Sequence, residues 1–373
     1  MEHFRCGHAK ANQWQEAAQA CLMQLGQTTD SDNFGFLYVT DLLAAYLTEI
    51  LNYVKQHTQI PHWVGSVGIG ICGQNQEYFD EPAIAIMVGQ FPHHTFQVFT
   101  EITEEFKEFS RTHQSWCESK LPMFAVVHGD SRNDQISNSI FQLSENLGEG
   151  FLVGGLTSSR HQNLQIADEV IDSGLSGVLF SSAVEVATCL TQGCAAIGPR
   201  HQITESSHNI IIRIDDRPAL DVFNEDIGEE LVENVNKIAG YIFAALPLRG
   251  SDTGDYMVRN LIGIDPEHKL LAIGDVVTPG MPIMFTYRDA KTAYKDLVNM
   301  LNRLKSRLDG RKPKGGIYYS CLGRGENLFG KDSNEIRTIQ RSLGDFPLVG
   351  FFANGEIYHQ RLYGYTGVLT LFL

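Results

Sequence analysis

Short apolar runs bounded by glycine alternate with stretches whose apolar residues recur every three or four positions, and the alternation keeps one order. It runs first through "FGFLYV", "DLLAAYLTEILNYVKQH", "HWVGSVGIGICG" and "PAIAIMVG". It returns as "MFAVVHGD", "DQISNSIFQLSENL", "FLVGGLTSS" and "SGVLFSSA", and again as "GGIYYS", "DSNEIRTIQRSLG", "PLVGFFANGEI" and "TGVLTLFL". A short apolar run between glycines predicts a buried strand, and a period of 3.6 predicts a helix covering one sheet face. Each copy therefore reads as strand, helix, strand, strand. The second strand carries a Val-Gly pair: Val64-Gly65, Val153-Gly154 and Val349-Gly350. Glycine at a fixed place in a strand predicts a close backbone approach or a bend.

A looser copy lies between the last two. "HNIIIRID", "MVRNLIGID", "KLLAIGD" and "MPIMFTYR" read as strands. "EDIGEELVENVNKIAGYIFAAL" reads as one helix with the stripe Ile227, Leu231, Val235, Ile238 and Ile242. "DAKTAYKDLVNMLNRLKSRL" reads as another, capped by Asp289, with Tyr294, Leu297, Val298, Leu301, Leu304 and Leu308 on its core face. Strands apolar on both faces need helices over their sheets. The expectation is an α/β fold of two lobes, built of repeated strand-helix-strand-strand modules in paired sheets covered by helices. A single doubly wound sheet is the alternative. The polar, turn-rich stretch "GPRHQITESSH", residues 198–208, reads as the joint between lobes.

Composition narrows the function classes. A chain of 373 residues accommodates two domains, and 43% hydrophobic with 20% charged residues is ordinary for a globular protein. A net charge of −15 repels a phosphate backbone. The basic run "NRLKSRLDGRKPKGG" falls at a helix end, where cations suit solvent and dipole. Nucleic acid is not an expected partner. No apolar stretch is long enough to span a membrane, and "MEHFRCGHAK" carries no secretory core. Seven scattered cysteines without a CxxC read as reduced thiols in a cytoplasm.

Candidate chemistry gathers in three loops. "SCLGRGENLFG", residues 320–330, follows a strand and precedes a helix. Its "GENLFGKD" nearly spells a phosphate loop, but Asp332 stands where a hydroxyl should reach magnesium, and Asp332 with Ser333 reads better as a helix cap. Arg324 offers a planar fork for a carboxylate and Asn327 an amide, while Gly325 lets backbone approach a ligand closely. Ser320 and Cys321 complete this wall. Cys321 as a nucleophile would make the chain a cysteine-dependent enzyme, the alternative to a purely binding role. In "FFANGEI", Asn354 and Gly355 carry the strongest short hairpin signal, and Glu356 follows where it would enter a cleft, bind an amine or pair with Arg324. "RGSDTGDYMVRN" supplies Arg249, Ser251, Asp252, Asp255 and Tyr256 as a polar pocket rim. No residue set points to a resident metal. Among thirteen histidines, His128 and His359 are the candidates for a haem axial ligand, and the absence of CxxCH excludes covalent haem.

The runs "LRGSDTGDYMVRNLIGID", "SCLGRGENLFG" and "PLVGFFANGEIYHQRLYGYTGVLTLFL" resemble the C-terminal part of the FIST family of bacterial signal-transduction proteins. "WVGSVGIGICG", "FLVGGLTSSR" and "LTQGCAAIGPRHQIT" resemble its N-terminal part. The resemblance implies a helical lead-in over residues 1–30, a FIST N-terminal lobe over 31–205 and a FIST C-terminal lobe over 206–373. It implies a cytoplasmic sensory module for a small ligand, an amino-acid-like metabolite, and not an enzyme. With no room in the chain for an output domain, the expected partner is a signalling protein in trans, a histidine kinase or cyclase. One branch of the family implies a haem-based nitric-oxide sensor instead.

Overall fold

The computed structural model describes residues 2–102, 106–148, 150–228, 240–248 and 256–373. The chain forms two compact units, Met1–Thr191 with Leu297–Leu373, and Gln192–Asp296.

The first unit is three copies of one module. The first copy is β1 (Glu2–Lys10), α1 (Trp14–Leu25), β2 (Phe34–Thr40), α2 (Leu47–Thr58), β3 (His62–Gly68), β4 (Gly70–Gly73), β5 (Gln76–Phe79) and β6 (Ala83–Gln90). The second is β7 (Phe96–Ile102), α3 (Phe106–Lys120), β8 (Pro122–Gly129), α4 (Ile136–Asn146), β9 (Phe151–Leu156), β10 (Gln165–Ala167), β11 (Glu169–Ile171) and β12 (Leu175–Ser181). The third opens with β13 (Val186–Thr191). The second unit follows: β14 (Ala195–Ser207), β15 (Ile210–Ile214), β16 (Arg217–Pro218), α5 (Ala219–Ile227), β17 (Ile242–Pro247), β18 (Tyr256–Asp265), β19 (Leu270–Ile273) and β20 (Pro282–Tyr287). The third copy then resumes with α6 (Ala290–Leu308), β21 (Gly315–Cys321), α7 (Glu326–Phe329), α8 (Asn334–Leu343), β22 (Leu348–Ala353), β23 (Glu356–Tyr358), β24 (Arg361–Tyr363) and β25 (Gly367–Phe372).

Each copy builds a mixed sheet in which one central strand, β2, β8 or β21, lies parallel to the Val-Gly strand and antiparallel to the copy's last long strand, β6, β12 or β25. The short excursion after each Val-Gly strand leaves its own sheet. β4-β5 joins the third sheet, β10-β11 the first, and β23-β24 the second, so the exchange runs once around all three copies. The single doubly wound sheet therefore does not occur. Asn354-Gly355 closes no hairpin: β22 and β23 lie in different sheets, and the pair carries the chain across with Gly355 at φ 123°.

The recurring glycine has one steric cause. A Cβ on Gly65 would stand 1.7 Å from the Leu37 carbonyl oxygen, on Gly154 1.9 Å from that of Val127, and on Gly350 1.7 Å from that of Tyr318. The residue after each of these carbonyls points inward. Tyr38, His128 and Tyr319 meet there fully buried, with Tyr38 Oη 2.8 Å from Tyr319 Oη and 3.3 Å from His128 Nε2. Around them the sheets share an aromatic core, in which Phe34 meets Phe180, Phe36 meets Phe372 and Phe124 meets Phe372. The helices pack on the other faces, α1 and α2 on the first sheet, α3 and α4 on the second, α6 and α8 on the third.

In the second unit β14 pairs with both β20 and β15, which closes β14-β20-β17-β18-β19-β15 into an antiparallel barrel. α5 fills it with Leu220, Val222, Phe223 and Ile227.

Four local readings differ from the structure. Residues 1–30 are not purely helical, because β1 pairs with β6 before α1 begins. The 198–208 stretch continues β14 almost to its end, and the second unit takes residues from both sides of it. The single helix through Ile227 and Ile242 is two elements: Gly228 at φ 80° returns its N–H to Asn224 and ends α5, while Ile242 opens β17. Leu231, Val235 and Ile238 lie outside the described residues. On α6, Asp289 does cap through the Thr292 N–H at 2.6 Å, but Tyr294 is exposed, and Ala293 and Met300 fill the core beside Leu297.

Candidate functional site

Each module carries a carboxylate–guanidinium pair after its central strand, β2, β8 or β21. Asp41, after β2, receives Arg160 Nε and Nη2 at 2.8 Å each. Asp130, after β8, receives Arg132 Nε and Nη2 at 2.9 Å each. In both pairs the arginine is about half in solvent, with side-chain exposures of 43% and 57%. After β21 the pair is Arg324 with Glu335, and both side chains are 0% exposed. The third module thus seals a charge pair that the other two leave open.

The seal follows from the loop. Gly325 at φ 55° turns the chain so tightly that a Cβ there would strike the Phe352 ring at 2.7 Å and the Phe79 ring at 2.8 Å. Arg324 is driven inward. Its Nε and Nη2 lie 2.8 and 2.6 Å from Glu335 Oε1, its Nη1 3.5 Å from the Tyr365 carbonyl, and its guanidinium carbon 5.1 Å from the Phe329 ring centre. Glu335, in the first turn of α8, also accepts from Tyr318 Oη at 2.7 Å, Ser320 Oγ at 3.2 Å and the Gly325 N–H at 2.9 Å.

Two more carboxyls complete the cluster. Glu356, on β23, is fully buried. Its Oε2 accepts from the Thr366 N–H and hydroxyl at 3.0 and 2.7 Å, and among the described residues its Oε1 has no hydrogen-bond partner. Burial pushes this carboxyl up to about 8, against the Thr366 bonds and the Arg324 charge. Glu77 reaches the cluster on β5 of the first module. Its Oε1 accepts from the Ile336 N–H at 3.3 Å, and among the described residues its Oε2 is unmatched. Burial, followed by the Glu335 charge, raises it to about 8 as well.

The structure thus brings Ser320, Arg324, Gly325 and Glu356 together, but Arg324 does not face an open pocket: its fork is held by Glu335. Cys321 ends β21, half-buried, its N–H on the Thr366 carbonyl. Asn327 sits on the exposed side of α7, its amide on the Leu322 carbonyl, and Asn354 is exposed at the crossover. Tyr256 belongs to the second unit, where its hydroxyl donates to the Cys194 carbonyl at 2.8 Å. Arg249, Ser251, Asp252 and Asp255 lie outside the described residues. Ser333 does not cap α8: its Oγ accepts the Glu77 N–H at 2.8 Å.

His128 is enclosed by the rings of Tyr38, Tyr319 and Phe351, its pKa lowered by burial to about 3 and its Nε2 held by the Tyr38 hydroxyl. His359 is an exposed turn residue at φ 55° with its ring against Tyr358. Neither provides the apolar slot that haem requires. Among the described residues no group of three or more His, Cys, Asp or Glu side chains is placed to hold a metal ion.

Glu335 and Glu77 escaped the sequence reading. Glu335 left a signal: an acid one turn before Ile339, on the face of α8 that also buries Ile336. Glu77 left none, because its role depends on the exchange of β4-β5 between sheets.

A family model for the FIST N domain matches residues 33–217, and one for the FIST C domain matches residues 219–359. The chain belongs to the FIST family, whose domains are the sensory parts of signal-transduction proteins. It is similar to an uncharacterized protein of Mycobacterium tuberculosis, 30% identical over 375 residues that cover 95% of this chain and 91% of that protein. It is also similar to one of Mycobacterium bovis, 27% identical over 393 residues that cover 96% of each. Among the described residues no helix is long and apolar enough to cross a membrane.

Proposed function

We propose that the chain is a ligand-binding sensory module, not an enzyme, that takes an amino-acid-like metabolite at the Arg324 cluster and signals to a separate protein such as a histidine kinase or cyclase. The observation that carries this reading is Glu356 Oε1, fully buried beside Arg324 with no hydrogen-bond partner among the described residues. An unmatched buried acceptor costs roughly 1–3 kcal/mol, and such debts gather at functional sites. A ligand ammonium draws Glu356 and Glu77 into their carboxylate forms and donates to both, while its carboxylate shares the Arg324 fork with Glu335. Entry requires the glycine-opened loop 320–330 to swing aside, and ligand binding then closes it. Signalling in trans is supported by the mycobacterial relatives, in which the matched region spans 91% and 96% of the protein.

A thermal-shift screen of the proteinogenic amino acids tests the reading. A true ligand at a hundredfold excess over Kd stabilises the chain by about 2.7 kcal/mol, and Glu356→Gln abolishes that gain. A screen in which no amino acid raises the melting temperature contradicts it.

A further inference from the structure

A cavity of about 350 Å³ lies along α3 beside the end of α4, far in sequence from the Arg324 cluster. Phe109, His113 and Cys117 line it at four-residue spacing, so they share one helix face. The Phe109 ring is fixed edge-on against Phe99 at 5.3 Å, and the His113 ring lies 4.8 Å from Phe109. His113 is only 8% exposed, and among the described residues its Nδ1 is sealed without a hydrogen-bond partner. Burial lowers its pKa, so the imidazole is neutral at pH 7. A sealed lone pair is more tolerable than a sealed N–H. The proton therefore belongs on Nε2, and the ring offers the cavity a donor. Glu118, exposed at the mouth and held by Gln114 Nε2 at 2.7 Å, adds a carboxylate five residues along the helix.

These groups describe one kind of guest. A dry cavity of ~150 Å³ holds a benzene ring, so this one has room for a ring and an arm. Five helical residues rise about 7.5 Å and turn by about 140°, so His113 and Glu118 line the cavity from separate directions, and a guest reaching both carries its polar groups at opposite ends, as a phenol with a two-carbon amine arm does. The geometry points to a second binding site in this chain, selective for a small hydroxylated aromatic amine. The ring lies on Phe109 and Cys117, the hydroxyl oxygen accepts from His113, and the ammonium meets Glu118. The site is independent of the Arg324 cluster.

Isothermal titration of the full chain with tyramine, phenethylamine and 4-hydroxyphenylacetate tests the inference. Tyramine is expected to bind at least tenfold more tightly than either control, since one lacks the hydroxyl and the other reverses the charge of the arm. Glu118→Gln, an exposed change, is expected to weaken tyramine about tenfold without weakening 4-hydroxyphenylacetate. Ser110→Phe, which fills the cavity, is expected to remove all binding, and Glu356→Gln to leave tyramine unaffected. Should Ser110→Phe fail to fold by circular dichroism, Glu118→Gln decides. The inference is overturned by no saturable tyramine binding, by equal affinity for the three compounds, by undiminished binding in Ser110→Phe or Glu118→Gln, or by its loss in Glu356→Gln.

Discussion

Arg324 and Glu335 form an ion pair with both side chains sealed from water, eleven positions apart and joined across the turn between β21 and α8. Glu335 accepts from Tyr318, Ser320 and Gly325 as well. Removing either charge strands the other in a dry site, which costs about 3–5 kcal/mol. Glu335→Ala is therefore expected to lower stability in urea unfolding by that order. Arg324→Met with Glu335→Leu together should lose much less than the two single changes combined. Additive losses would mean that the pair is not coupled as the geometry requires.

The two raised carboxyls predict a pH slope. Glu77 and Glu356 sit at about 8 when folded and titrate near the ordinary carboxylate range when unfolded. Between those values the folded chain holds protons that the unfolded chain has lost, so stability falls as pH rises. Their stabilising contribution is complete below the ordinary carboxylate pKa and is gone above pH 8. Urea midpoints measured from pH 5 to 8 should decline, and Glu356→Gln should flatten part of the decline. A midpoint in the wild type that rises across this window would contradict the assignment.

The threefold repeat predicts three matching glycine phenotypes. Gly65→Ala, Gly154→Ala and Gly350→Ala each drive a methyl into a neighbouring strand's carbonyl oxygen. Each is expected to destabilise by ~3 kcal/mol, the upper end of overpacking. Gly26, with nothing within 4 Å of its added Cβ but φ at 71°, should lose about 1 kcal/mol when changed to alanine. Thermal melts of the four variants distinguish the two causes.

At the meeting point of the three copies, Tyr38 bonds both Tyr319 and His128. Tyr38→Phe leaves the partners unmatched in a fully buried site and should cost about 1–3 kcal/mol. Tyr319→Phe added to it should cost little more, because the bond it would remove is already gone. A fully additive double variant would show that the hydroxyls are not bonded.

The modules were legible because each repeats the same strand–helix–strand order and the same Val-Gly pair, a steric need that local sequence records directly. The exchange of short strands between sheets was not. Asn354-Gly355 has the chemistry of a tight hairpin, and only the neighbouring sheet decides that it is a crossover. The break after Ile227 was hidden because "YIFAAL" fits a buried helix turn as well as a strand. Within the site, Arg324, Ser320 and Glu356 stood out as polar residues among glycines. Glu77 comes from another module, and no spacing in the chain ties it to Arg324.

Hydrogen–deuterium exchange with and without the stabilising amino acid from the thermal screen tests the central claim most directly. If the ligand settles between Arg324, Glu356 and Glu77, exchange slows in residues 320–330 and around Thr366, and the effect disappears in Glu356→Gln. Protection confined to other segments, with this loop exchanging as fast as before, would contradict a ligand site at the Arg324 cluster.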